Sequence, residues 1–371
     1  NEFLVVANNK DNKKLIKIGN ERVVEARLND AQFFWDKNKA SNMVKLVSKL
    51  KNVNYFNGLG SYFDKVQRMR KLGGMISDEF LISKEKVEIS STICKVDLLS
   101  DLVGEFPELQ GIMGGYFAEF QGFDKDISLA IKEHYLPIGT DSKTPKKSYS
   151  IALALTDKLD TLVGFFGINQ KPTSSKDPLA LRRSALGVIR LLLENNKELK
   201  LKDLLNYSSN LYLEQGFDLV NKTLHKDLII FFIERLKNYM KEKNIRSDII
   251  QSAVTSYNLD NIIKSYNKSS TLDKIIGKEI GKNIISCYKR ASSILEYELK
   301  NKNLELSGSV DTGIFKNDYE KLLYKKILDL KKYFANTSKE EDYNLTLKNL
   351  SDSKEIIFNF FDNVKVNDED E

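Results

Sequence analysis

From about Ala26 onward the apolar residues of this chain recur every three to four positions, and only five prolines interrupt its 371 residues. A stripe at that spacing is buried by coiling into a helix, whereas a half-buried strand needs strict alternation. The spacing predicts helices over residues 29–51, 62–77, 84–103, 126–136, 149–166, 178–195, 221–242, 246–256, 272–300 and 317–335, with one or two more over 340–364. Strand-like runs are confined to residues 3–7 and 14–18, separated by the turn-forming Asn8-Asn-Lys-Asp-Asn12, and predict a hairpin. With 20 Phe, 16 Tyr and 41% hydrophobic residues, the chain has ample apolar surface to bury in a core.

Two polar stretches predict seams. Residues 167–176 carry a proline and two serines between strongly apolar helices. Residues 301–317 are loop-rich, although Leu304 and Leu306 argue that part of them packs. The expected organisation is a hairpin remnant of a preceding domain (1–28), one helical domain (29–170) and a second helical domain (171–371). The opening at Asn1 and the acidic end after Lys365 predict a piece of a longer protein.

Composition narrows the chemistry. Two cysteines, Cys94 and Cys287, cannot build a disulfide scaffold and predict a cytoplasmic address. No apolar run approaches the ~18–20 residues of a membrane span. Two histidines, His134 and His225, leave little material for zinc sites or His-based triads. The net charge of +6 permits a polyanionic partner without demanding one, and only ten of the 58 basic residues are arginine. Gly111, Gly114 and Gly115 lead into a helix without the Gly-Lys-Ser/Thr ending of a phosphate loop, which points to close packing. Cys94, inside an expected helix, reads as a buried small hydrophobe.

Three constellations remain. Asp157 and Asp160, at i and i+3, share a helix face, and with Asp97 and His134 they could gather around a divalent metal. Phosphohydrolases of the histidine–aspartate type build such sites, but they need several histidines and an adjacent His-Asp pair, which this sequence lacks. The bland alternative pairs these acids with Lys95, Lys158 or arginines of the following domain. Residues 176–190 place Arg182, Arg183 and Arg190 on an otherwise apolar helix started by Asp177-Pro178. Their partners are either internal acids, such as Asp157, Asp160 and Glu194, or phosphates. Tyr288, Lys289 and Arg290 form the third group, either a stacking and cationic surface for single-stranded RNA or a charged face with Tyr288 in the core.

Several long blocks resemble the β subunit of the bacterial heterotetrameric glycyl-tRNA synthetase. They are residues 20–34 (NERVVEARLNDAQFF), 104–114 (GEFPELQGIMG), 133–137 (EHYLP), 154–166 (ALTDKLDTLVGFF), 176–183 (KDPLALRR), Lys289-Arg290 and 360–364 (FFDNV). In order and spacing they cover essentially the whole chain. The resemblance implies a mainly α fragment: a helical HD-like domain followed by a helical anticodon-binding domain similar to that of arginyl-tRNA synthetase. It implies binding of glycine tRNA, at the acceptor region and the anticodon, with Lys289, Arg290, Tyr288, Arg182, Arg183 and Arg190 near or supporting the RNA. The α subunit of an α2β2 assembly would make the adenylate with ATP and Mg²⁺. This stretch would hold no cofactor or metal, carry no catalytic residue, and be inactive alone. The family's larger N-terminal β domains and the Arg-bearing helix after the Phe-Phe-Asp segment have no counterpart here. The competing expectations are an HD-type metal-dependent phosphohydrolase and a scaffold that docks the α subunit.

Overall fold

A computed structural model describes residues 2–173, 176–254, 261–302, 310–336 and 343–365. Leu304, Leu306 and the acidic end after Lys365 lie outside the described residues. The chain divides into two compact units, residues 1–239 with 255–263, and residues 240–254 with 264–371.

The first unit begins with α1 (Leu15–Asn38) and α2 (Met43–Leu46), then a small antiparallel hairpin, β1 (Asn54–Phe56) and β2 (Gly60–Ser61). The helices that follow are α3 (Tyr62–Phe80), α4 (Lys84–Ile93), α5 (Asp101–Glu105), α6 (Ile112–Phe120), α7 (Lys125–Glu133), α8 (Ser148–Gly167), α9 (Leu181–Leu193) and α10 (Leu201–Glu214). Helix α11 (Leu224–Glu242) runs up to the division. Helix α8 is the axis of this unit: 17 of its 20 residues are buried, and α3, α4, α7, α9 and α10 all pack on it. A helix buried on every side is apolar all round, apart from charges that find partners inside. Those charges are Asp157, Lys158 and Asp160. The start of α3 is fixed by a capping box, in which Ser61 and Asp64 satisfy each other's backbone N–H groups.

The second unit holds α12 (Ser247–Ala253), α13 (Ile262–Ile276) apart from its first two residues, α14 (Glu279–Lys302), α15 (Asp318–Asn336), α16 (Tyr343–Ser351) and α17 (Lys354–Asn363). Here α14 packs on α16 and α17, and α15 on α17. No described helix is long and apolar enough to cross a membrane.

The architecture is mainly α, as the spacing predicts. The hairpin expected over residues 3–18 is not formed. Asp11 accepts the N–H groups of Ile16 (2.8 Å) and Lys17 (3.2 Å), and the apolar residues Leu15, Ile16 and Ile18 open the 24-residue α1 instead. Five residues of alternating pattern suit a strand or one helical turn equally, and the carboxylate decides between them. The hairpin that does form, at 54–61, turns on Asn57-Gly58, with Gly58 at φ +84° and Gly60 at φ +81°. The seam expected at 167–176 runs within the first unit, because α9 and α10 both pack on α8; the compact units divide near residue 240 instead of at 170. The apolar pattern over 272–300 resolves into two helices broken around Gly277.

Candidate functional site

The carboxylates of α8 are answered from α3. Lys65 and Arg68, at i and i+3 on α3, both reach Asp160. Arg68 grips it in a fork, with Nε at 2.7 Å from Oδ1 and Nη2 at 3.3 Å from Oδ2, while its guanidinium lies 3.7 Å from the Tyr212 ring centroid. The Tyr212 hydroxyl, brought in by α10, donates to the Asp160 carbonyl at 3.0 Å. Lys65 Nζ lies 3.1 Å from Asp160 Oδ2 and 3.2 Å from Asp157 Oδ1, and donates to Thr161 Oγ1 at 2.9 Å.

Lys95, from the break after α4, joins the same group. Its Nζ stands 3.1 Å from Asp157 Oδ1 and 2.9 Å from His134 Nε2. His134 engages the Ile131 carbonyl through Nδ1, which makes Nε2 the acceptor for the ammonium. Burial and the neighbouring Lys95 hold this imidazole well below its ordinary value, so it is neutral. Burial opposes the charge on Asp157, but Lys65 and Lys95 outweigh it and keep the carboxyl below the usual range. Asp160 is lowered in the same way by Arg68 and Lys65. Asp97 is set apart: it accepts the N–H groups of Gly111 and Gly114, and burial pushes it up to about 6.

A metal at this place would need the lone pairs of His134 and Asp157. Lysine ammonium groups already engage both. Among the described residues no cluster of His, Cys, Asp and Glu has the makings of a metal site. Of the predicted internal partners, Lys95 pairs as expected. Lys158 instead donates to the Tyr135 carbonyl at 2.9 Å, and the arginine comes from α3 rather than from a following domain. Lys65 and Arg68 went unpredicted, although their i, i+3 spacing matches that of Asp157 and Asp160. Gly114 and Gly115 do serve close packing: a Cβ on Gly115 would stand 2.6 Å from Lys132 Cβ. Cys94 is fully buried, and burial raises its thiol to about 12.

The three arginines of α9 have different fates. Asp177 caps the helix, accepting the N–H of Leu181 (2.8 Å) and Arg182 (3.0 Å), so the helix starts at Leu181 and Pro178 sits in the preceding turn. Arg190 is nine-tenths buried and internal. It pairs with Glu194 at 2.7 Å and donates to the carbonyls of Gly139, Thr140 and Ser142, each at 2.8 Å. Arg182 donates to the Thr173 carbonyl. Arg183 is exposed and makes no ion pair among the described residues.

On α14 the neighbours Lys289 and Arg290 point different ways. Arg290 packs against α17, with its guanidinium 4.8 Å from the Phe358 ring centroid and 5.5 Å from that of Phe361, and pairs with Asp362. Lys289 is exposed, and Tyr288 beside it is 72% exposed, which removes the reading of that ring as core. Lys282 and Ile285 are exposed on the same helix, so Lys282, Ile285 and Lys289 follow at i, i+3 and i+7 along one face. Lys282 went unpredicted; that spacing is the signal that would have found it.

Residues 284–371, which include Ile285, Tyr288 and Lys289, match the DALR anticodon binding domain, and residues 1–255 match the glycyl-tRNA synthetase beta subunit. The chain belongs to the glycyl-tRNA synthetase β-subunit family. It is 35% identical, over 98% of its length, to the glycine–tRNA ligase beta subunit of Rhodospirillum centenum, and 37% identical, over 99%, to that of Rickettsia canadensis. Those alignments cover 51% and 53% of the relatives, so the chain spans about half the length of the curated relatives it matches. In this β-subunit segment the buried charge cluster and α9 fall within the first match, and Tyr288, Lys289 and α15 to α17 within the second.

Proposed function

We propose that this chain is the tRNA-holding part of a glycyl-tRNA synthetase β subunit. In this reading it grips glycine tRNA while an α subunit, in an α2β2 assembly, makes the glycyl-adenylate with ATP and Mg²⁺. The observation that carries the reading is the exposed Tyr288 beside Lys289 on α14, inside the segment that matches an anticodon-binding domain. Splayed RNA bases stack on exposed aromatic rings, and adjacent ammonium groups neutralise the phosphates that come with them. Arg290 holds α14 against α17 from the other side and so positions this face.

The reading is tested by binding glycine tRNA to the chain and to two variants. Tyr288→Ala should cost ~1–3 kcal/mol of affinity, the worth of one stacked base. Lys289→Ala should weaken binding with a reduced dependence on salt. Both should leave the unfolding midpoint unchanged, since neither side chain is buried. Unchanged affinity in both variants would remove α14 as the RNA surface.

A further inference from the structure

A cavity of about 360 Å³ opens in the first unit beside the charge cluster, between α8 and the start of α9. Its size lies within the range of small-ligand sites, ~300–1,000 Å³. Lys158 and Arg183 line it, and neither makes an ion pair among the described residues. Lys158 is 7% exposed, yet among the described residues one carbonyl, that of Tyr135, is the hydrogen-bond partner of its ammonium. A buried cation with spare donors facing a cavity calls for an anion. Its stem lies against Gly187, where a Cβ would come within 2.8 Å of Lys158 Cε. Arg183 is four residues before Gly187, on the same face of α9, which puts both cations on one wall.

Two carboxylates also line the cavity. Asp157 is already neutralised by Lys65 and Lys95, and Glu108 is exposed. The local balance is therefore positive. Pro107, Pro137 and Ile138 supply apolar lining.

We propose that this cavity holds the phosphate group of a nucleotide between Lys158 and Arg183, with the base against the proline-lined wall. The site binds and does not cleave, because the ammonium groups of Lys65 and Lys95 occupy the carboxylate and histidine donors that hydrolytic metals would need. The nucleotide is either free or the end of a bound RNA; the second source rests on the RNA-binding reading above.

Calorimetric titration of the whole chain with AMP, adenosine and a short RNA tests this. AMP should bind saturably and adenosine should not. Arg183→Gln should weaken AMP about tenfold or more, as loss of a charge-assisted contact does. Glu108→Gln should tighten it, whereas it would weaken a site built for a cationic ligand. Displacement of AMP by the RNA assigns the site to an RNA end, and persistence of AMP assigns it to a free nucleotide. No AMP binding, equal binding of adenosine, or an unchanged Arg183→Gln variant would overturn the proposal. Lys289→Ala should leave AMP binding intact, so a failure here and a failure of the α14 reading separate cleanly.

Discussion

Lys95 lies 2.9 Å from a histidine nitrogen and 3.1 Å from an aspartate oxygen, which is where a divalent cation would otherwise be drawn. A fixed ammonium there offsets the Asp157 charge and donates to His134 without supplying a Lewis acid. Added Mn²⁺ should accordingly leave the unfolding midpoint of the chain unchanged; a rise with metal concentration would mean that the lysines yield. Breaking the cluster should be costly. Arg68→Ala leaves Asp160 with Lys65 as its one ion-pair partner among the described residues and should destabilise by ~3–5 kcal/mol in urea unfolding. The pH dependence follows from the same contacts. Asp157 and Asp160 sit below the 3.8 of an ordinary aspartate, so their stabilisation is complete above that pH and is lost as pH falls beneath it. Asp97, raised to about 6, acts oppositely: between 6 and 3.8 it takes up a proton more readily when folded, and stability gains as pH drops. His134, held neutral well below 6.5, opposes that gain, because the unfolded chain takes up this proton first as pH falls; the urea midpoint should therefore hold from pH 7 to 5 and then fall steeply below pH 4. The acids and His134 were legible in the sequence because their chemistry is scarce in this chain. Lys65 and Arg68 were not, because nothing local distinguishes them from the many lysines and arginines of solvated faces; only the fold brings them to residues more than 90 positions away.

At the level of elements, α14 shows how one dipeptide serves two roles. Lys289 and Arg290 are about 100° apart around a helix, so one faces solvent while the other packs between Phe358 and Phe361. Arg290→Ala should cost ~1 kcal/mol through the lost ring contacts, while Lys289→Ala should cost nothing measurable. Equal effects on stability would contradict this division. Asp177→Ala should cost about 1 kcal/mol through the lost cap of α9. The sequence places α8 and α11 almost to the residue, since α8 is one long apolar run bounded by polar stretches and α11 is long and periodic. It missed α10, although Leu201, Leu204, Leu205, Leu211 and Tyr212 keep helical spacing around Ser208 and Ser209. The two serines break the apolar stripe while remaining buried in it. It also gave α1 to a hairpin, because five residues of pattern cannot choose between periods and the deciding Asp11 contact lies outside them.

For the whole molecule, the division near residue 240 went unread because the polar connector at 167–176 is the louder compositional signal, although α9 and α10 pack back on α8 beyond it. Two units with separate cores need not unfold together. Arg68→Ala should shift one transition and Arg290→Ala the other; a single transition moved equally by both would show one cooperative block. The family resemblance, by contrast, was legible across the full length, because many ordered blocks carry it rather than any single site. The central claim, that this segment holds glycine tRNA through α14, is tested most directly by its affinity for that tRNA and for an anticodon-altered version across a salt series. The account predicts tighter binding of the native anticodon, affinity falling as salt rises, and a log–log slope reduced by about 1 in Lys289→Ala. Equal binding of both tRNAs, with a slope that Lys289→Ala leaves unchanged, would contradict it.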